Sequence, residues 1–278
     1  MKVPTKSVAL TYTLGQSLYV PLTSRCNTRT LPETRGPGFL LPLNVVSTLC
    51  SVRVLEEPNM NHDETMELLS NEKDARIKMP PSLPITNKLD NISLDGSGVD
   101  LKGDQRLPTI KSLLDDITYR CSQTSNETNP PILWDSIVIA GEGEPTLRFQ
   151  SLLSLTTLIS TNHRDMYKSL RLTTNGLITE KNAAKDLKYS GVDSISVALM
   201  TSDPYEYQEL MTPANSSTSL IEPCAHQRVC NFIQSAISAD LDVEVTGVEG
   251  SVADTIEAEN FAKSLGVSNL FRWRPYFP

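Results

Sequence analysis

Apolar residues along this chain come in short blocks whose spacing switches between a strand period and a helix period. LYVPLT, at residues 18–23, is the first block dense enough for a strand. After residue 131 the pattern becomes regular. ILWDSIVIAG is an apolar run closed by glycine, FQSLLSLTTLIST has helical spacing, and SLRLTTNG reads as a short strand closed by Asn-Gly. EKNAAKDLKYSG predicts a helix with a C-terminal glycine and DSISVALM a strand. AHQRVCNFIQSAISA predicts a helix burying Val229, Phe232, Ile233, Ala236 and Ile237. LDVEVTGV, TIEAENFAKSLG and FRWRPYF complete the series as strand, helix ending at Gly266, and strand. Such alternation requires a parallel sheet, because each crossover must return over one face. The six expected strands are residues 18–23, 137–140, 171–173, 194–198, 243–246 and 272–274, predicted as parallel neighbours. The expected fold class is α/β, an incomplete parallel (β/α)6 barrel of the TIM type, in a single domain over residues 1–278.

One stretch breaks the pattern. Residues of about 57–131 are rich in charge, Asn, Ser, Pro and Gly and poor in aromatics. That composition buries too little apolar surface to offset its ordering entropy, so a mobile insertion is expected, with residues of about 58–106 disordered. Within it, LPTIKSLLDDITYRC places Ile110, Leu113, Leu114 and Ile117 on one helix face, predicting a helix packed on the core.

Charge and cysteines narrow the class. Against 25 Lys and Arg stand 33 Asp and Glu, a formal net charge of −8, which argues against a surface built to neutralise nucleic-acid phosphates. The start of the sequence lacks the apolar core of a signal peptide, and no run of about 18 apolar residues occurs, so a soluble, intracellular (cytoplasmic) protein without a membrane partner is expected. Five cysteines scattered through 278 residues make a poor disulfide framework and read as reduced thiols.

In parallel barrels the chemistry gathers at the C-terminal strand ends. There the sequence offers TSRCN, GEGEPTLR, TTNG, MTSDPYEY, TGVEG and RWRPY. Taken singly these have plain readings. Cys26 is a small hydrophobe after a strand, Gly141 and Gly143 permit a turn, and Asn175-Gly176 is a turn dipeptide. His226 and Cys230 share a helix face at the i, i+4 spacing used by zinc sites, but no second pair is near in sequence, so they read as structural. Arg272 and Arg274 share one face of the last strand; they are functional if that face is the barrel interior and a solvated rim if it is not.

Taken in order, these segments resemble the radical S-adenosylmethionine superfamily, and in LRLTTNGL and DSISVALMTSDPYEYQELMTP a branch associated with TatD-type nucleases. In that family the first loop carries Cys-x3-Cys-x2-Cys, which holds a [4Fe–4S] cluster, and a Gly-Glu-Pro motif after the second strand receives the methionine amino group. The resemblance implies S-adenosylmethionine as cofactor and assigns its binding to Gly143, Glu144, Pro145, Asn175, Ser196 and Thr246, with Cys26 at the first metal-ligand position. The other two cysteine positions hold Thr30 and Glu33, and oxygen donors are poor substitutes for thiolate on sulfide-bridged iron. A [4Fe–4S] cluster is therefore not expected, and neither Cys50 nor Cys121 sits where it could replace the missing ligands. Arg29 and Arg35, in the polar loop that follows, are suited to a carboxylate or phosphate. Three readings stand: a cluster-free pseudoenzyme that binds S-adenosylmethionine or a similar small molecule; an active radical enzyme with an unusually ligated cluster, its missing thiols coming from a partner; and a scaffold whose insertion binds a protein. The ligand pocket is expected at the strand ends, lined by Cys26, Glu144, Asn175, Ser196 and Thr246.

Overall fold

A computed structural model describes residues 9–56, 76–77, 108–127, 133–212, 224–252, 254–268 and 271–278. The chain opens with a hairpin, β1 (Tyr12–Leu14) and β2 (Ser17–Val20), turning through Gly15 at φ +59°. Then come α1 (Leu31–Thr34), β3 (Leu41–Pro42), α2 (Leu43–Glu56), β4 (Arg76–Ile77) and α3 (Ile110–Glu127). The second half runs β5 (Trp134–Ile139), α4 (Phe149–Asn162), β6 (Tyr167–Thr174), α5 (Ala183–Tyr189), β7 (Ser194–Ala198), α6 (Pro204–Met211), α7 (Ala225–Ser238), β8 (Asp242–Val248), α8 (Thr255–Ser264) and β9 (Arg272–Arg274).

The main sheet has the order β1-β2-β5-β6-β7-β8-β9. From β2 to β9 every pair is parallel, so the six strands expected from the alternation are neighbours in chain order. Two features depart from a plain (β/α)6 repeat. β1 pairs antiparallel on the outer side of β2, and several crossovers carry more than one helix. The hairpin was legible as YTL-GQ-SLYV but lay outside the strand–helix alternation. The first strand also ends at Val20 rather than residue 23, because Pro21 has no N–H to give a ladder.

Period-2 alternation divides the sheet into two unlike faces. Leu18, Ile137, Leu170, Leu172, Ile195 and Val243 point to one side and are buried in a continuous apolar core with Leu113, Ile117, Leu152, Leu155, Ile159, Leu187, Val229 and Ile233 from the helices. The intervening positions, among them Tyr19, Arg171, Ser196 and Glu244, face the other way. Tyr19 of β2 and Arg274 of β9, at opposite ends of the parallel series, line one cavity, so the sheet is curled and this second face is concave. The chain itself spans the gap between the two ends: Phe277 donates its N–H to Arg35 O (2.8 Å) and Gly38 donates to Phe277 O (3.0 Å). Gly36 lies at φ +94°, and a Cβ there would sit 2.2 Å from Phe277 O, so the crossing needs glycine.

α3 forms where the spacing placed it, with Ile110, Leu113 and Ile117 buried and Leu114 packed against the core. It also holds the start of the described chain. The Asp116 carboxylate accepts from Leu10 N (3.0 Å), Thr11 N (2.8 Å) and Thr11 Oγ1 (2.7 Å), while Arg120 donates to Thr11 O (3.1 Å). The rest of the expected insertion lies outside the described residues, apart from Arg76–Ile77, whose backbone pairs with Leu41–Pro42. Among the described residues no helix is long and apolar enough to cross a membrane. Replacing Asp116→Ala strands two backbone donors, and a loss of about 2 kcal/mol is expected, read as a lower urea midpoint at unchanged slope; an unchanged midpoint would show that α3 is not what anchors β1.

Candidate functional site at the strand ends

The loop that leaves β5 is fixed by two carboxylates facing opposite ways. Glu142 forms a buried ion pair with Arg53 on α2, through Nε at 2.6 Å and through Nη2. Gly143 lies against the loop after β2: a Cβ would fall 2.5 Å from both Thr23 O and Arg25 O, and the next residue, Glu144, donates its N–H to Arg25 O (2.7 Å). The Glu144 side chain is buried and takes four hydrogen bonds. Thr146 N (3.0 Å), Thr146 Oγ1 (2.7 Å) and Thr174 Oγ1 (2.8 Å) donate to one oxygen, and Asn175 N (2.7 Å) donates to the other. Burial pushes its pKa up and the four donors pull it back down. With Pro145 at the first position, Glu144 also caps the short 3-10 turn Pro145–Arg148.

The loop after β2 is tied down just as fully. Thr23 and Ser24 both bond the Glu56 carboxylate at the end of α2. Asn175 reaches across from the end of β6, its Nδ2 donating to Asn27 Oδ1 (2.6 Å) and Thr28 Oγ1 (3.1 Å) and lying 4.0 Å from Cys26 Sγ. Thr30 and Glu33 form a reciprocal capping box on α1: Glu33 N donates to Thr30 Oγ1 (3.4 Å), and Thr30 N donates to Glu33 Oε2 (2.7 Å). Cys26 is half-buried, and its thiol is pushed up from 9.0 to about 12, first by burial and then by the Glu144 charge.

Three thiolates are what a [4Fe–4S] cluster requires of this loop. The residues present do not fit that requirement. They supply one thiol, Cys26, and two oxygen side chains already engaged in starting a helix. Among the described residues no group of three His, Cys, Asp or Glu is placed to hold a metal ion.

Of the residues assigned by resemblance, Cys26, Gly143, Glu144 and Asn175 come together around a recess of about 30 Å³, with Met211 from α6 on its wall. That is room for one water molecule and not for a nucleoside. Pro145 begins the 3-10 turn behind it. Ser196 and Thr246 lie on β7 and β8 beyond the recess lining; both are buried, and Ser196 donates to Glu244 (2.9 Å). A larger space, about 290 Å³, adjoins the recess along the concave face and shares Leu31, Ala140, Gly141 and Thr173 with it. Arg35, Arg272 and Arg274 line this space, so the last strand turns its arginines inward; Arg29 borders the recess instead. His226 bonds Thr201 O (3.0 Å) and stacks on Phe261, with Cys230 Sγ 3.9 Å from its Nδ1, a packed pair within the core. Sequence reasoning missed Asn27, Thr28, Arg53, Glu56, Arg171 and Glu244. Arg171 and Glu244 carried a signal, the polar alternation in SLRLTT and DVEVT.

No protein-family model matches the chain. Over 79 residues it is 40% identical to a probable GTP 3',8-cyclase of Methanococcus maripaludis, a segment that is 28% of this chain and 25% of the cyclase. The likeness thus spans a quarter of that relative's length. Solved structures show a looser likeness. A methylornithine synthase matches at 13% identity and TM-score 0.44, over 59% of this chain and 44% of the synthase. A radical SAM methyltransferase from Sphaerobacter thermophilus matches at 16% identity and TM-score 0.40, over 66% of this chain and 51% of that one. Scores this low leave the strand order of the chain itself to define the α/β fold.

The thiol chemistry has a direct consequence. Because Cys26 is an acid raised from 9.0 to about 12, the folded chain keeps a proton that the unfolded chain releases between those values. Stability should therefore fall as pH climbs from 9.0 towards about 12. In the folded protein at about pH 8, iodoacetamide should label exposed Cys224 well ahead of Cys26. Equal labelling rates by mass spectrometry would show a thiolate at Cys26.

Proposed function

We propose that this chain is a radical-SAM-like barrel that binds a small molecule and works without a [4Fe–4S] cluster. The observation that carries the reading is the capping box: Thr30 and Glu33, at two of the three cluster-ligand positions, use their side chains to start α1. Support for the superfamily comes from the order of the strand-end motifs and from the 40% identity to a GTP cyclase over 79 residues. The TatD-associated branch rests on LRLTTNGL and DSISVALMTSDPYEYQELMTP alone and belongs to the proposal. A cluster-free site generates no radical, so the function is binding or non-radical chemistry.

S-adenosylmethionine is the first ligand to test, because the Gly143–Glu144–Pro145 turn is in place. The recess of about 30 Å³ is too small for it, so it would have to extend into the adjoining space of about 290 Å³. A protein partner docking on the insertion of about residues 57–131 belongs to the same proposal, as does an intracellular location. Restoring the ligand spacing tests the reading. The double substitution Thr30→Cys with Glu33→Cys removes the capping box, at a cost of about 1 kcal/mol, and should gain bound iron and acid-labile sulfide on anaerobic reconstitution. Equal iron and sulfide in the double variant and the unmodified chain, lost from both on Cys26→Ala, would favour a working cluster held in another way.

A further inference from the structure

The concave face of the sheet gathers positive charge in a protein that is negative as a whole. Arg35, Arg171, Arg272 and Arg274 all line the 290 Å³ cavity, and no Asp or Glu is among its described lining residues. Glu244 lies beside it and pairs with Arg171 and, at 3.7 Å, with Arg272. Four guanidiniums and no carboxylate on the described lining leave positive charge facing a half-enclosed space. Arg35 is held by its own surroundings, stacked over Phe39 at 4.1 Å and Phe277 at 5.2 Å, with Nε donating to Pro275 O (3.3 Å). The Nε of Arg274 is buried and has no hydrogen-bond partner among the described residues.

Like charges are brought together at a cost, and a buried donor without a partner adds to it. Burial, together with the guanidiniums of Arg272, Arg35 and Arg171, holds Arg274 down to about 10, well below the ordinary guanidinium range, with Glu244 pulling the other way. An anion placed among these groups would satisfy the orphan donor and cancel the repulsion in one step. Forked guanidiniums suit a phosphate or carboxylate, which offers paired oxygens. The rest of the lining is largely apolar and aromatic, with Leu31, Val45 and Val138 and the stacked Tyr12–Tyr19 pair at 5.2 Å.

We propose that the concave face is a binding site for a small metabolite carrying a phosphate or carboxylate group, held by Arg35, Arg171, Arg272 and Arg274 with its apolar part against the Tyr12–Tyr19 side. The space, near the lower end of the roughly 300–1,000 Å³ usual for small-molecule pockets, fits a metabolite and not a polymer. The site names the ligand class for the small-molecule half of the function proposed above and does not depend on the cluster question.

Calorimetric titration of the full chain at low salt with inorganic pyrophosphate, and separately with succinate, tests it. Saturable binding of at least one anion is expected, near one per chain, and the anion that binds tells phosphate from carboxylate chemistry. Arg274→Gln and Arg272→Gln should each weaken it at least about tenfold, while Lys185→Gln on α5 binds as the parent does. Without anion, Arg274→Gln should melt no lower than the parent, because removing the charge relieves crowding; adding the anion should raise the parent's melting temperature and not the variant's. Should Arg274→Gln fail to fold, the more exposed Arg272 still decides the matter. Absence of saturable binding of both anions, or equal binding by the parent and the arginine variants, would overturn the proposal. The probes contain no iron, sulfide or sulfonium, so that outcome would leave the cluster-free reading of the strand ends standing.

Discussion

The buried carboxylate of Glu144 is the joint on which the strand ends of this barrel depend. It takes hydrogen bonds from the turn that begins its own helix and from the backbone and hydroxyl at the end of β6, while its N–H holds the loop after β2. Three consecutive parallel strands are thereby fastened at one point. A buried carboxylate is tolerated only where donors replace its water, and four do so here. Because this joint brings Asn175 to the first loop, Asn175 bonds Asn27 and Thr28, and the space at the strand ends shrinks to about 30 Å³.

Thr30 and Glu33 satisfy the free N–H groups at the start of α1, a local role for oxygen side chains that cysteine does not fill. The helix turn carries the chain on to Arg35 and Gly36, where it meets the segment after β9 and spans the gap between the two ends of the parallel series. One short loop thus stabilises its own helix, helps close the barrel and places Arg35 in the concave cavity. The room for a ligand lies along that concave face.

Much of this was legible in the sequence because it rests on local periodicity. The six parallel strands, their order and the α3 face with Ile110, Leu113 and Ile117 follow from apolar spacing alone. The hairpin partner β1 escaped because it breaks the alternation, and α1 escaped because a four-residue helix has no period to read. Motif order brought Cys26, Gly143, Glu144 and Asn175 together, since each lies in the loop that leaves the C-terminal end of a strand. Ser196 and Thr246 lie inside strands, where register and not sequence order decides what a side chain meets. Whether Arg272 and Arg274 face inward depended on the curl of the whole sheet, a property no single segment carries.

We propose that the loop after β2 uses Thr30 and Glu33 for helix capping and holds no [4Fe–4S] cluster. Anaerobic reconstitution of the unmodified full chain with iron and sulfide, read by Mössbauer spectroscopy and iron content, tests it most directly. Far less than one cluster per chain is predicted, with any bound iron unaffected by Cys26→Ala. A stoichiometric [4Fe–4S] spectrum that disappears in Cys26→Ala would contradict it.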